Sequence, residues 1–328
     1  MKELDIPVRY METALSTEGI TVYDVPGLIS ALGDDPWGMF AAAGRLRDRR
    51  FGNRVDACSI INAKSGNCSE DCAYCAQSAH HDTGAEVYPL LPEDRIAGAA
   101  QRAFDHGVRR FCIVTSGKAI YTDSEMSSIA RCVELIRDIG IMPCATLGSL
   151  DKNQMRTLRD AGLNRFHHNI ETSRSFFPKV CTTHDYDERV ETLELAREAG
   201  LSLCSGGIIG MGETMADRAE MALALKDLKV DSVPLNFLMP IPGTPLADAP
   251  PISPLDALRT IALFRLILPE TEIRVCGGRV KGLGELHPLI FMSGANGVLT
   301  GDYLTTTGRD YCRDLNMLSA LGLEVAYD

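Results

Sequence analysis

Short β-branched or apolar runs alternate with longer amphipathic stretches along most of the chain. The period-2 or continuously apolar runs predict strands at 55–61, 110–115, 141–146, 165–169, 202–205, 232–237, 272–276 and 297–300. The stretches with helical spacing predict helices at 92–106, 124–139, 152–161, 186–199, 214–228 and 254–267. Gly107, Gly140, Gly162 and Gly200 each follow a helix and suit its left-handed C-terminal position. The phrase Ala161-Gly162-Leu163 returns as Ala199-Gly200-Leu201, a helix end feeding a strand. Such alternation implies a parallel sheet, and eight strands over about 250 residues match a TIM-type (β/α)8 barrel. A doubly wound open sheet is the alternative, but no Gly-rich dinucleotide fingerprint follows the first strand. In a barrel the chemistry belongs at the C-terminal ends of the strands.

Residues 1–50 read as a helical extension, with apolar stripes at Leu28-Ile29-Ser30-Ala31-Leu32 and Met39-Phe40-Ala41-Ala42-Ala43. The basic run from Arg45 to Arg50 reads as a solvated helix end. Residues 51–328, the barrel and a C-terminal segment, then form one structural unit.

Composition narrows the function. The 328 residues are 45% hydrophobic, and 44 Asp+Glu against 33 Lys+Arg leave a net charge of −11. That acidity argues against a nucleic-acid partner, and no apolar run is long enough for a membrane span. Eleven cysteines stand out. Met1-Lys2-Glu3-Leu4-Asp5 lacks the basic and apolar regions of a secretory leader, so a reducing cytoplasm is expected. There, cysteines serve as core filler, metal ligands or redox groups rather than as a disulfide framework.

Just after the first strand comes Asn67-Cys68-Ser69-Glu70-Asp71-Cys72-Ala73-Tyr74-Cys75-Ala76-Gln77-Ser78. Three thiolates in so short a loop can hold three irons of a cubane cluster and leave the fourth iron open. Structural zinc is the rival, but it wants four ligands and no second C-x2-C follows. Cys112, Cys144 and Cys204 sit in the second, third and fifth strands at similar depth. Small buried cysteines are common filler, yet three in three strands can also converge inside a barrel.

The triplet, its place after the first strand and Tyr74 before its last cysteine resemble the radical S-adenosylmethionine (radical SAM) superfamily. That resemblance implies a [4Fe-4S] cluster on Cys68, Cys72 and Cys75, S-adenosylmethionine, and a 5′-deoxyadenosyl radical. From about Asp56 to Val325 the chain is further similar to the biotin synthase family. The similarity is carried by Thr146-Leu147-Gly148, His168-Asn169, Thr182-Thr183-His184, Cys204-Ser205-Gly206-Gly207-Ile208, Gly212-Glu213-Thr214 and Ser232-Val233-Pro234-Leu235-Asn236. It continues in Gly243-Thr244-Pro245-Leu246-Ala247-Asp248 and Gly301-Asp302-Tyr303-Leu304-Thr305-Thr306.

The resemblance implies a sulfurtransferase that turns dethiobiotin into biotin. It also implies that Cys112, Cys144, Cys204 and Arg274 hold an auxiliary [2Fe-2S] cluster whose sulfide is inserted. Without it, Arg274 would read as half of an ion pair. By the same resemblance Asn169 and Asn236 bind the ureido ring, Glu171 the ribose and Arg189 the methionine carboxylate. Thr115, Ser116 and Gly117 hold the methionine amine, and Tyr74 and Ile208 flank adenine. A flavodoxin or ferredoxin reductant, a sulfide or iron–sulfur assembly supply, and a homodimer are likewise implied.

The chain departs from the family at Cys276, where serine is more common. Positions 274 and 276 share a strand face, about 6.5 Å apart, and thiolate is a far better iron ligand than guanidinium. Cys276 is therefore expected to supplement or replace Arg274, giving a cluster larger than [2Fe-2S]; an unliganded lumen thiol is the alternative. Cys58 is a weaker candidate on the same logic, and Cys132, Cys181 and Cys312 read as filler. His167 stands where asparagine is usual, and Val280 where an acidic residue is common. The rival functions are a sister radical SAM enzyme, of the hydrogenase-maturation or methylornithine type, and a non-catalytic iron–sulfur carrier.

Overall fold

The computed structural model describes residues 5–304 and 308–326; Met1 to Leu4, and Thr305 and Thr306 of the matched C-terminal motif, lie outside the described residues. The strands are β1 (Arg54–Lys64), β2 (Arg110–Thr115), β3 (Met142–Thr146), β4 (Arg165–His167), β5 (Ser202–Cys204), β6 (Gly207–Ile209), β7 (Ser232–Phe237), β8 (Glu272–Val275), β9 (Gly297–Leu299) and β10 (Glu324–Val325). They pair in parallel in the order β1-β2-β3-β4-β5-β7-β8-β9, and β9 pairs back onto β1. The sheet is closed, which excludes the open doubly wound alternative. β10 adds to the start of β1.

β5 and β6 are two halves of one stave, since Cys204 registers with Ser232 and Gly207 with Leu235, both on β7. The sequence predicted a single strand at 202–205. The break falls at Ser205-Gly206, where a Cβ on Gly206 would lie 2.0 Å from the Pro234 carbonyl oxygen. A Cβ on Gly207 would lie 2.1 Å from the Glu171 carbonyl oxygen. Only glycine allows these approaches, and they bring β6 under the loop after β4. β4 is also shorter than predicted, so Asn169 lies beyond its end.

Helices α1 (Ile6–Leu15), α2 (Val25–Asp34) and α3 (Pro36–Phe51) precede the barrel. α4 (Glu93–Asp105), α5 (Asp123–Ile139), α6 (Lys152–Ala161), α7 (Tyr186–Glu198), α8 (Met215–Asp227) and α9 (Pro254–Ile267) surround it, within a residue or two of the predicted spans. Capping boxes at Asp151, Asp185 and Thr214 start α6, α7 and α8. Gly140 and Gly162, at φ 91° and 104°, end α5 and α6 as predicted. α10 (Arg279–Leu283), α11 (Leu289–Met292) and α12 (Tyr311–Ala320) were not predicted. α3 packs against α9, and Arg47 in its basic run is only 5% exposed, so that run is not wholly the solvated end expected. No helix among the described residues is long and apolar enough to cross a membrane.

A charged floor closes the N-terminal end of the barrel lumen. Arg110 Nε lies 3.3 Å and Arg274 Nη2 2.9 Å from Asp56 Oδ2, and Arg165 Nη1 lies 2.6 Å from Glu272 Oε2. Above it the lumen fills with thiols and aliphatic side chains. The opposite end opens into a cavity.

Candidate active site

The cavity, of about 390 Å³, lies at the C-terminal ends of the strands and is lined by Cys68, Cys72 and Cys75 from the loop after β1. All three thiols are free. The loop turns at Asn67, whose φ of 51° is left-handed. Cys68 N–H donates to Gln77 O at 3.0 Å, Ala79 N–H to Cys68 O at 2.8 Å, and Ser78 Oγ to Glu70 O at 2.6 Å. His81 Nε2 donates to Cys72 O at 3.1 Å and His80 Nε2 to Ser69 O at 3.0 Å.

A second segment, Val180 to His184, braces this loop from the side. Ala73 N–H donates to Val180 O at 2.8 Å, and the Asp71 carboxylate accepts from Thr182 N–H at 2.9 Å and Thr183 N–H at 3.2 Å. Glu70 Oε2 accepts from Thr183 Oγ1 at 2.8 Å and His184 Nδ1 at 2.5 Å. Burial alone would raise both carboxyls, but these hydrogen bonds outweigh it and hold Glu70 and Asp71 below the usual range.

Cys181, read from the sequence as filler, is buried against polar and thiol groups of the triplet loop. Its Sγ lies 3.8 Å from Cys72 Sγ and 3.2 Å from His184 Nδ1. The partners are separated by 109 positions, so no spacing in the sequence exposes the contact. Of the other two expected fillers, Cys132 is buried in α5 but Cys312 is exposed on α12.

Thr115, Ser116 and Gly117, just past β2, line the cavity beside the triplet. Ser116 Oγ donates to Gly66 O at 2.7 Å, whereas the buried Thr115 Oγ1 has no hydrogen-bond partner among the described residues. Arg189, from α7, donates through Nε to His184 Nε2 at 3.0 Å and through Nη1 to Asn169 O at 2.9 Å. Its Nη1 also lies 3.6 Å from Glu171 Oε1. Glu171 holds a left-handed φ of 67°, strained for a residue with a Cβ, and this turns the chain toward the cavity. Tyr74 and Ile208 supply apolar lining.

Asn169 Oδ1 accepts from His167 Nε2 at 2.8 Å and from Gly206 N–H at 3.1 Å. Its Nδ2 donates once, to Glu171 Oε2 at 3.3 Å, which leaves one N–H for a ligand. Asn236 is set similarly, accepting from Gly277 N–H at 2.9 Å and donating to Gly207 O at 3.3 Å. His167 thus orients Asn169, a role invisible from its replacing an asparagine. Burial pushes its imidazole down to about 4, so it is neutral at pH 7.

Below the cavity, Cys112 and Cys144 are register partners on β2 and β3. With Cys58, Cys276, Val114 and Leu299 they form one packed group separate from the main core. Cys204, on β5, is buried near Cys144 and Arg274, and burial raises its thiol pKa. Burial pushes Cys276 up to about 12. Among the described residues Nε and Nη2 of Arg274 have no hydrogen-bond partner; the Asp56 contact is close but poorly aligned. All the residues expected at the chemistry therefore fall into two connected zones, the cavity and the lumen beneath it.

Comparison with known proteins agrees with that arrangement. Residues 63–225 match the radical SAM superfamily and residues 234–324 the Biotin and Thiamin Synthesis associated domain. The barrel closes across the two matches, because β8, β9 and most of β7 lie in the second. Biotin synthase of Geobacter metallireducens is 52% identical over 312 residues, 95% of both chains. That of Geobacter sulfurreducens is 54% identical over 294 residues, 89% of both chains. Methylornithine synthase superposes with a TM-score of 0.82 over 98% of both chains at 21% identity, a likeness of fold alone. With about half its residues identical to theirs across nearly the whole length, the chain belongs to the biotin synthase family.

Proposed function

We infer that this enzyme inserts sulfur into dethiobiotin to form biotin, with a radical source at the barrel mouth and a sulfur source in the lumen. The observation that carries the reading is one cavity lined by three free thiols and lying over a second group of buried thiols. When bound, the [4Fe-4S] cluster and S-adenosylmethionine supply a 5′-deoxyadenosyl radical for hydrogen abstraction, and the auxiliary cluster supplies sulfide.

The residues fit these groups. Cys68, Cys72 and Cys75 offer three sulfurs without a fourth at the same loop, which suits a cluster with one open iron. Arg189 would pair with the methionine carboxylate, and Thr115 Oγ1, buried without a partner, with Ser116 and Gly117 would meet the amine. Glu171 would accept from the ribose, and Tyr74 and Ile208 would border adenine. The spare N–H groups of Asn169 and Asn236 would meet the ureido carbonyl of dethiobiotin.

Cys112, Cys144 and Cys204 would hold the auxiliary cluster. Burial alone would lower the Arg274 guanidinium pKa, but Asp56, Cys58, Cys204 and Glu272 outweigh it and raise it. A guanidinium held so firmly in its charged form is a poor iron ligand. Cys276 would therefore join Cys112, Cys144 and Cys204 in holding the auxiliary cluster, which would then be larger than [2Fe-2S], with Arg274 beside it as a charged hydrogen-bond donor. Residues 1–50 form a helical extension on a single unit, 51–328. Electrons from a flavodoxin or ferredoxin, a supply of replacement sulfide and a homodimeric state are carried over from the family.

Anaerobic turnover with dethiobiotin, S-adenosylmethionine and reductant tests the reading. Both 5′-deoxyadenosine and biotin are expected. Deoxyadenosine without biotin would move the chain to a sister radical SAM chemistry, and neither product would leave an iron–sulfur carrier.

A further inference from the structure

The brace beside the triplet contains a second set of metal donors. Cys72 Sγ, Cys181 Sγ and a His184 ring nitrogen lie within 4.8 Å of one another. A tetrahedral zinc ion with Zn–S bonds of about 2.3 Å sets two thiolate sulfurs about 3.8 Å apart. Cys72 and Cys181 are separated by 3.8 Å with no metal between them. Cys181 Sγ and His184 Nδ1 are 3.2 Å apart, a few tenths short of the sulfur–nitrogen edge of the same tetrahedron. The nearest fourth donor is Glu70, whose Oε2 lies 2.5 Å from His184 Nδ1 and must step back to share an ion with it.

The set is also oriented for binding. Thr183, His184 and Ser69 hold Glu70, and Asp71 Oδ1 lies 3.1 Å from Cys181 Sγ, which supplies further negative charge around the position. Two thiolates and an imidazole select a thiophilic divalent ion over magnesium or calcium.

We propose that the cluster-free protein binds one thiophilic divalent cation, Zn2+ or its equivalent, through Cys72, Cys181 and His184 with Glu70 in the fourth position, and that this ion excludes the [4Fe-4S] cluster. The exclusion follows from Cys72, whose single sulfur cannot serve both centres. Binding releases the two thiol protons, and the single proton of the His184 ring passes from Nδ1 to Nε2 through solvent. The ring then carries its proton on Nε2, so the Arg189 Nε hydrogen bond to that atom is given up. The ion therefore disturbs Arg189 as well as the triplet. The site uses neither Cys68 nor Cys75. Binding thus stands apart from the cluster assignment, and only the exclusion rests on it.

Co2+ is the probe, because tetrahedral thiolate coordination gives it intense visible and near-ultraviolet absorption. Cluster-free C68S/C75S, which lacks the rest of the triplet, is titrated beside C68S/C75S/C181A. The first should bind one more equivalent of tetrahedral Co2+ than the second, or bind it at least tenfold more tightly. Lumen thiols are common to both and cancel. Equal stoichiometry and affinity would overturn the proposal.

A second measurement does not need the triple variant. Cluster-free wild type and C181A are treated with one equivalent of Zn2+ and then offered iron and sulfide. Wild type should take up several-fold less iron at the triplet than C181A, and a chelator should restore it. Equal uptake would overturn the exclusion. If untreated wild type takes up no iron at the triplet, the cluster reading fails, while the Co2+ comparison stands unchanged.

Discussion

The mouth and the lumen of this barrel are both rich in sulfur but are built by opposite means. At the mouth, Cys68, Cys72 and Cys75 belong to one loop held by local hydrogen bonds and by the Val180 to His184 brace. Cys68 and Cys75 are half-buried at the edge of a cavity. In the lumen, Cys58, Cys112, Cys144, Cys204 and Cys276 come from five different staves and are all buried. Their positions are fixed by barrel closure, and beneath them lies a network of buried charges. Changes at the mouth should therefore strike chemistry and spare the fold. Changes in the lumen should strike both.

The largest contrast is between C68S and D56A. C68S should lower 5′-deoxyadenosine formation at least about a thousandfold, the scale of losing a radical source rather than a contact. The Tm of its cluster-free form should stay within about 2 °C of wild type, since surface-facing changes shift stability little. D56A leaves Arg110 and Arg274 without their shared carboxylate. It should cost about 3–5 kcal/mol in urea unfolding. Similar losses of stability in both variants would erase the distinction.

An intermediate effect belongs to pH. His167 titrates at about 4 in the fold against about 6.5 unfolded. The unfolded chain therefore binds more protons between those values, and stability is full above pH 6.5 and lost as pH falls toward 4. The loss from this one residue is up to about 3 kcal/mol. H167N should flatten that part of the urea-stability profile; an unchanged slope would remove His167 from the account. His168, also held well below its ordinary value by burial, adds a slope of the same sign that H167N leaves in place.

C276S sharpens the comparison at smaller scale. It should lower auxiliary iron and sulfide per chain while leaving the triplet's iron intact. An unchanged auxiliary cluster would make Cys276 a bystander thiol. N169A should weaken dethiobiotin binding about tenfold, the worth of one or two hydrogen bonds, and leave S-adenosylmethionine cleavage without substrate unchanged.

What was legible in the sequence follows the same division. The triplet stood out because Cys68, Cys72 and Cys75 fall within one short loop, and the structure brings that loop to the cavity. The lumen set was readable only through strand register, since Cys112, Cys144 and Cys204 mean nothing until the strands close. Cys276 joining Cys112 and Cys144 in one packed group follows from period-2 alternation. The split between β5 and β6 was missed because Gly206 and Gly207 give no hydrophobic signal; their need comes from backbone atoms of β7 and Glu171. The contacts of Cys181 with Cys72 were not legible, because they join it to a loop more than a hundred positions away. Arg47 was misread because a basic run shows no face until α3 packs.

The central claim is that the mouth makes the radical and the lumen gives the sulfur. It is tested most directly by a single turnover of enzyme reconstituted with 34S-sulfide at both clusters, in unlabelled buffer sulfide, with the biotin product weighed by mass spectrometry. The account predicts biotin two mass units heavier, and no labelled biotin from C112S even where 5′-deoxyadenosine still forms. Unlabelled biotin from the wild-type enzyme, or heavy biotin from C112S, would contradict it.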